Sequence, residues 1–465
     1  MRAALLTFFA VIIAGCVTPQ VEAPRETPLE TGELGLAGPS VPIAEERWWE
    51  AFADPQLGKL MDEALSSSPT LAQALARVRA AQAEAQAANA ASGPSYSITA
   101  DETWQRFSEH FYIPPPFAGG HFWLGQATAN LDWTLDFWGR QQALIAEAAS
   151  GVLASRLDLE AAKLALTGAV AQAYLDLYRA WELLDIAERL QEENEQLLRL
   201  TQGRIKAGLD RALELRTAEA RLAQARAGVL QARSARDLAL HRLAALVGYG
   251  ADRYAQIERP RLQLEASLTL PDQLPLDLLG RRPDVLAARA RIEAAASARE
   301  AARAAFYPDI NLKAFVGVQA IGLDELVESG SRTYGVGPAL HLPIFDAQRL
   351  RAAYKGATAQ LDAAIATYNA TVLGAIRETA DQLTLNASIG QQLSELRQAV
   401  EAASSAYELA QKLYGAGLTN QLRVLDAETQ VLNARRDLVN ASTNLALARI
   451  SLRLMVGGTF DPGRV

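Results

Sequence analysis

Few residues of this chain have a type and spacing that could support catalysis. It has four histidines, and no two of them have the paired spacing of metal ligands; they are His110, His121, His241 and His341. No glycine-rich phosphate loop or nucleophile elbow occurs in the strand–turn–helix context that these motifs require. We therefore expect no enzyme activity, no catalytic residue, no bound metal and no cofactor.

The single cysteine offers a different chemistry. Cys16 follows a short positive start at Arg2, an apolar stretch and the small residues Ala14 and Gly15. This pattern is typical of a secretory signal and is too short to span a membrane. The Ile-Ala-Gly-Cys ending resembles the bacterial lipobox, in which the cysteine becomes the acylated first residue of the mature chain. The sequence thus predicts a covalent lipid such as palmitate on Cys16, the alternative being an ordinary signal with a chance cysteine.

The composition narrows the possible partners. The chain has 465 residues and a formal charge of −8, and no basic stripe or aromatic-plus-arginine motif stands out, so we expect no nucleic-acid partner. A polar, proline-rich stretch follows the cysteine, which predicts a flexible tether rather than a folded element.

The chain contains two copies of one pattern. Pro69 and Pro283 each open an alanine-rich helical stretch and are 214 residues apart, while Gly208 and Gly417 are 209 residues apart. A period this long exceeds a solenoid unit and indicates a duplicated half-protein. Each half is predicted to contain a helix, two strands, a long helix and a second helix.

Four segments have a hydrophobicity that alternates with period two, at about 95–107, 121–137, 308–320 and 331–345. Such alternation marks strands with one apolar and one polar face. Trp123 and Trp133 lie on the apolar face of the second segment, at a spacing that matches a lipid-facing band of about 25 Å. We predict that the membrane's two aromatic girdles contain Trp123 at one end and Trp133, Phe137 and Trp138 at the other. A strand of a soluble sandwich is the alternative.

Four membrane strands cannot close a barrel. Barrels made by one chain begin at about eight strands, and open sheet edges are not tolerated in lipid. The chain is therefore predicted to share a barrel with copies of itself, with outer-membrane lipids around it.

The helical segments carry a heptad pattern. In the last one, apolar residues recur every seven positions from Val424 to Leu452, and alanines follow three places on, which predicts a left-handed coiled coil with close helix approach. The proline-free runs 141–202 and 347–413 would each extend for about 100 Å as helices. Core packing inside a soluble bundle is the alternative.

Several motifs together resemble the outer-membrane efflux proteins of the TolC/OprM type, and more closely the NodT-like lipoprotein branch of that family. They are the lipobox, the run from Trp48 to Leu57 (Trp-Trp-x-x-Phe-x-Asp-Pro-x-Leu), the two half-repeats, and the stretch from Tyr414 to Glu428. The resemblance covers nearly all residues after 40. It implies a mainly α-helical fold with a membrane β part. In that fold, long coiled-coil helices form a trimeric periplasmic α-barrel, continuous with a shared 12-stranded outer-membrane β-barrel with four strands per chain.

The resemblance also implies a division of the chain. The predicted parts are a lipoprotein signal peptide at 1–15, a lipidated tether at 16–42, an N-terminal equatorial segment at 43–68, repeat 1 at 69–248, an equatorial linker at 249–282, repeat 2 at 283–457 and a C-terminal tail at 458–465.

The implied function is that of the exit duct of a tripartite efflux pump, passively conducting small amphiphilic compounds to the exterior. A periplasmic adaptor protein and an inner-membrane transporter, usually of the proton-driven RND type, would complete the pump. The family's helical barrel is pinched shut at its periplasmic tip, near the two helix–helix turns of each chain. The residues that we expect at this gate are Asp210, Arg211, Tyr414, Thr419, Arg423 and Asp426. A solvated turn is the alternative for each of them.

Two other functions stay open at this point. The duct could be the exit of a type I protein-secretion system, because an exit duct need not recognise its cargo. A structural coiled-coil lipoprotein would explain the heptads and Cys16, but it leaves the four amphipathic strands unexplained.

Overall fold

A computed structural model describes residues 23–30, 34–36, 38–39, 46–110, 112–265, 270–275, 277–343 and 345–464. The predicted signal peptide and Cys16 lie outside the described residues. Within the described part, the chain forms two compact units. The first contains the described residues up to Pro28 together with Arg77–Ser155 and Ala288–Asn369, and the second contains the described residues of Leu29–Ala76, Arg156–Ala287 and Ala370–Val465.

The described chain is mainly helical, and its halves repeat one order of elements. The first half has α1 at Pro55–Ser67, α2 at Pro69–Ala90, β1 at Ser95–Arg106, β2 at His121–Leu135, α3 at Arg140–Lys206 and α4 at Ala212–Leu246. The second half has α5 at Pro283–Ala304, β3 at Asp309–Ile321, β4 at Arg332–His341, α6 at Ala347–Gly415 and α7 at Gln421–Met455. Short helical turns lie at Trp48–Phe52, Ala251–Gln256, Leu278–Arg281, Ser329–Ser331 and Pro462–Arg464. The predicted helical fold with four strands per chain is confirmed.

The four strands form one antiparallel sheet in the order β1-β2-β3-β4. In this sheet Ala129 lies opposite Ile98 on one side and Val316 on the other, while Thr128 lies opposite Thr99 and Gly317. The apolar and polar rows expected from the alternation therefore continue across neighbouring strands. No strand in the described part of the chain pairs with the outer edge of β1 or of β4.

The second unit has its core around the Trp-Trp-x-x-Phe-x-Asp-Pro motif. Trp48, Trp49 and Phe52 are at most 4% exposed and pack with apolar residues of α1, α3, α4 and α7. Asp54 caps α1, since its Oδ1 accepts from the Gln56 amide at 2.9 Å, and Pro55 fits the first helical position because its missing N–H is not needed there.

The same aspartate joins this motif to α3. Its Oδ2 accepts hydrogen bonds from the Tyr174 hydroxyl at 2.8 Å and from the Arg261 amide at 2.8 Å. Tyr174 is fully buried, and this burial raises the pKa of its phenol above the ordinary value. The motif is therefore a packing and capping device of the second unit.

A short segment near the N-terminus differs from the expectation of a free tether. The Arg25 amide donates to Asp362 Oδ1 at 2.8 Å, and Asn369 Nδ2 donates to the Thr27 carbonyl at 2.9 Å. The Asp362 and Asn369 side chains thus satisfy backbone groups that a flexible chain would leave to water. Residues 25–27 are therefore held against α6. The polar composition of this segment predicted a flexible tether, but composition cannot predict the hydrogen bonds that Asp362 and Asn369 of α6 make to it.

No helix in the described ranges is long and apolar enough to cross a membrane.

Candidate functional site: the amphipathic sheet and the two helix turns

The apolar row of the sheet is open to its surroundings. Ile98, Tyr334 and Val336 are 83%, 81% and 76% exposed. Large apolar side chains this exposed on a continuous sheet face indicate a surface that another apolar phase or molecule covers. By register, Ala129, Leu131 and Leu312 lie on the same face of the sheet as these side chains.

The aromatic residues predicted for the girdles lie at the two ends of the sheet. At one end, the rings of Trp104 and Trp123 are 5.3 Å apart. At the other end, Trp133 Nε1 donates to the Ser92 carbonyl at 3.1 Å and Trp138 Nε1 donates to the Pro308 carbonyl at 2.9 Å. Each of these indoles thus joins β2 or its end to the segment that leads into another strand, while its ring remains partly exposed, a combination that suits a membrane interface.

One aromatic stack and one exposed ring also lie at that end. Trp138 stacks on Tyr307 with 4.8 Å between ring centres, and Phe137 is 62% exposed with no part in these hydrogen bonds. The sequence reading missed Trp104, because Glu102 and Arg106 interrupt the apolar side of β1.

The polar row forms a hydrogen-bonded network. The hydroxyls of Thr99 and Thr128 are 3.0 Å apart, and Asn130 Nδ2 donates to Thr99 Oγ1 at 3.0 Å. Lys313 and Asp132 lie opposite each other, with Nζ and Oδ1 3.6 Å apart. A sheet with one apolar exposed face and one polar, charge-bearing face is the arrangement expected of a wall between lipid and water.

The second candidate region is the pair of helix turns, which share one backbone geometry. Gly208 and Gly417 both have φ 72°. The Leu209 amide donates to the Arg204 carbonyl at 2.9 Å, and the Leu418 amide donates to the Leu413 carbonyl at 2.9 Å. A left-handed glycine with this hydrogen bond ends each long helix.

The first turn contains Asp210 and Arg211. Asp210 accepts two hydrogen bonds from Arg204, at 2.7 Å from Nε and 3.0 Å from Nη2, and these bonds lower the pKa of the Asp210 carboxyl. The Arg211 amide donates to Glu214 Oε2 at 3.1 Å, which is half of a capping box at the start of α4. Within one chain the partner of Asp210 is Arg204, because the turn folds the Asp210 side chain back along α3.

The second turn contains the other predicted gate residues. Tyr414 is half-exposed in the last turn of α6, and Thr419 lies between the helices. Asp426 lies 3.8 Å from Arg221 of α4, measured from Oδ1 to Nη1, in a contact between α4 and α7. Within the described part of a single chain, Tyr414 is paired with none of the other five predicted gate residues.

Exposed leucines accompany both turns. Leu209 and Leu213 at the first turn are 67% and 72% exposed, and the matching Leu418 and Leu422 at the second turn are 75% and 41% exposed. None of these leucines is among the gate residues predicted from the sequence. Leucine occurs at equivalent positions of the two repeats, at Leu209 and Leu418 and again at Leu213 and Leu422. This repetition is the feature of the sequence that could have identified them.

Comparison with known proteins agrees with this geometry. The family described as outer membrane efflux protein matches residues 60–249 and 274–458. The fusaric acid resistance protein FusA of Burkholderia cepacia is 35% identical over 360 residues, covering 75% of this chain and 68% of its own length. The multidrug resistance outer membrane protein MdtP of Escherichia coli is 28% identical over 468 residues, covering 98% of this chain and 95% of its own.

A solved structure agrees as well. The crystal structure of the outer membrane protein VceC of Vibrio cholerae has a TM-score of 0.82 and 35% sequence identity, covering 90% of this chain and 100% of that one. The family match includes all four strands and both helix turns. The chain therefore belongs to the outer membrane efflux protein family and is an efflux channel protein of the outer membrane.

Proposed function

We propose that three copies of this chain form the outer-membrane exit duct of a tripartite efflux pump. Three four-stranded sheets would close one 12-stranded β-barrel, and the long helices would continue it as a periplasmic α-barrel. A periplasmic adaptor protein and an inner-membrane transporter of the RND type complete the pump. The duct conducts passively, carries out no catalysis and is anchored in addition by a lipid on Cys16.

One observation carries this proposal: the four strands form an amphipathic sheet, and within the described residues neither edge of that sheet pairs with another strand. Unpaired backbone groups in lipid cost several kcal/mol each, so the edges must pair with other strands. Copies of the same chain supply strands of matching length and the same two-faced pattern. A structural coiled-coil lipoprotein has no use for such a sheet.

Small amphiphilic compounds are the proposed cargo. The relatives include proteins named for resistance to fusaric acid and for multidrug resistance, which favours small-molecule export over type I protein secretion. The two cargoes are separated by deleting the gene: loss of small-compound efflux with normal protein secretion is expected, and the reverse result would favour the secretion duct.

Single-channel recording tests the duct itself. The purified full-length protein, inserted in a planar lipid bilayer, is expected to give discrete current steps. Native mass spectrometry of the same sample is expected to give a trimer. A monomer that gives no current at any voltage would contradict the proposal and leave the structural lipoprotein.

A further inference from the structure

A carboxyl group lies buried among the helices of the second unit. Glu193 on α3 is 6% exposed, and neither of its side-chain oxygens has a hydrogen-bond donor within the described chain. It lines a groove of about 870 Å³ between α3, α4, α6 and α7. An ionised carboxylate so placed would leave its lone pairs unsatisfied, which is costly in a buried site.

The group that acts most directly on Glu193 is another carboxyl. Glu428 lies on α7 between Ala427 and Thr429, which line the same groove, and after burial its like charge is the main cause that raises the pKa of Glu193 to about 8. The nearby Thr429 hydroxyl already donates to the Leu425 carbonyl at 2.9 Å. Two ionised carboxylates can only accept hydrogen bonds, so their contact becomes favourable only when one of them holds a proton.

The other charged and titratable groups around the pair do not replace that proton. Arg189 on α3 lowers the pKa of Glu193, but it is the smallest of the influences acting on that group. On α4, Arg221 lines the same groove and is paired with Asp426. On α6, the Tyr407 phenol lies against Glu428, and its pKa is raised by burial and then by that carboxylate.

We propose that Glu193 and Glu428 form a proton-binding site in which one shared proton holds α3 against α7 beside the predicted gate. The ligand is a single proton, the donor is the protonated carboxyl of one glutamate, and the acceptor is the carboxylate of the other. Arg423 and Asp426, both predicted gate residues, line the same groove as Glu193. Loss of the proton leaves two like charges beside each other, one of them buried and the other partly buried, and drives α7 away from α3.

The direction of the pH effect follows from linkage. The folded chain holds this proton over a pH range in which an ordinary glutamate has lost it, between 4.5 and about 8. The folded state therefore binds more protons than the unfolded state there, and stability falls as pH rises through that range. Release of α7 is expected in mildly alkaline solution, with the contact intact in mildly acidic solution.

Infrared spectroscopy of the purified full-length protein tests the site without relying on channel activity. At pH 6 the wild-type protein is expected to show the band of a protonated carboxyl, and this band is lost at pH 9.5. Glu193→Gln should remove the band, because the neutral amide replaces the protonated group at nearly the same size. Glu192→Gln is the matched control, since Glu192 is the adjacent exposed glutamate, and it should leave the band unchanged.

Thermal unfolding gives a second reading. The midpoint temperature of unfolding of the wild-type protein should decrease when the pH is raised from 6 to 9. This decrease should be smaller in Glu193→Gln than in Glu192→Gln. A wild-type spectrum with no such band at pH 6, or a band that survives both Glu193→Gln and Glu428→Gln, would overturn the proposal.

Conductance links the site to the gate and rests on the proposed function. Single-channel conductance is expected to rise from pH 6 to pH 9 in the wild type and to stay low in Glu193→Gln. Absence of any current at all would count against the proposed duct, while the infrared result still decides the proton site. A pH-dependent conductance that is identical in Glu193→Gln would count against the site's link to the gate.

Discussion

Asp210 and Arg204 form a two-point ion pair across the first helix turn, with contacts of 2.7 and 3.0 Å. The matching positions of the second repeat are Thr419 and Leu413, which cannot form an ion pair. The backbones of the two turns are alike, with φ 72° at both glycines. The repeats therefore share a turn and differ in the side chains that close it.

This asymmetry predicts a local effect for Asp210→Asn. The substitution removes the charge that accepts from Arg204, so the amides of Gly208 and Leu209 should exchange hydrogen faster by severalfold. Native-state hydrogen exchange measures this directly. Thr419→Asn at the matching position of the second turn is the control and should leave the first turn unchanged. Equal exchange in the wild type and Asp210→Asn would mean that the backbone alone fixes the turn.

The second prediction concerns closure of the tip. Tyr414→Phe combined with Asp426→Ala removes a half-exposed hydroxyl and the carboxylate that lies 3.8 Å from Arg221. In the proposed trimer, three copies of each change act on one axis, so single-channel conductance should rise and cells should become sensitive to large antibiotics such as vancomycin. This leak should persist without the pump, because it passes through the duct itself.

A change elsewhere on α7 serves as the control for that double variant. Asp437 also lies beside an arginine, with 3.5 Å between Arg436 Nε and Asp437 Oδ1, and Asp437→Ala should leave conductance unchanged. Unchanged conductance in the double variant would instead assign closure to the exposed leucines Leu209 and Leu418.

The third prediction separates the two faces of the sheet. Ala129→Arg places a charge in the middle of the apolar row and should lower the free energy of unfolding by about 2–4 kcal/mol. Thr128 lies on the polar row, but it is 6% exposed and hydrogen-bonded to Thr99, so Thr128→Arg is also expected to destabilise. Gln319→Arg, at an exposed position of the polar row, should mainly alter conductance. Equal destabilisation by Ala129→Arg and Gln319→Arg, measured by urea unfolding in lipid vesicles, would contradict the assigned faces.

Thr128 also marks how far sequence reasoning reaches. Patterns with period two or seven identify strands and coiled helices, because a side chain's face follows from its position along one element. Burial of Thr128 and Glu193 depends instead on which neighbouring element approaches. Glu193 lies in the run Gln191-Glu192-Glu193-Asn194-Glu195, and nothing in that run separates the buried glutamate from the exposed Glu192.

Ion-pair partners were unpredictable for a similar reason. The sequence placed Asp210 and Asp426 near the turns, but their partners Arg204 and Arg221 are set by how the turn folds back and by the contact of α4 with α7. Position along the chain says little about such contacts between elements. The Trp-Trp-x-x-Phe-x-Asp-Pro motif shows the same limit. Its resemblance to the family could be recognised in the sequence, but the hydrogen bond between its Asp54 and Tyr174 could not be predicted.

The fourth prediction concerns Cys16, which lies outside the described residues. If the lipobox reading is right, Cys16→Ser abolishes fatty-acid labelling of the mature protein. Insertion of the sheet in the outer membrane should persist, because burial of four apolar strand faces per chain outweighs one lipid anchor. Membrane fractionation after labelling measures both. A mature N-terminus at another residue, without label, would exclude acylation.

The last prediction tests the network around Asp54. Tyr174→Phe removes the hydroxyl that donates to Asp54 at 2.8 Å and accepts from Gln56 Nε2 at 2.8 Å. Loss of a buried hydrogen bond to a charged group should lower the free energy of unfolding by about 1–3 kcal/mol. Tyr178→Phe, the same change one turn further along α3, is the control, because Tyr178 is only partly buried and takes no part in that network. Thermal unfolding of both variants at neutral pH measures the difference. If the two variants lose equal stability, Asp54 is held by its helix cap and the Arg261 amide alone, and the tyrosine contributes through packing of its ring.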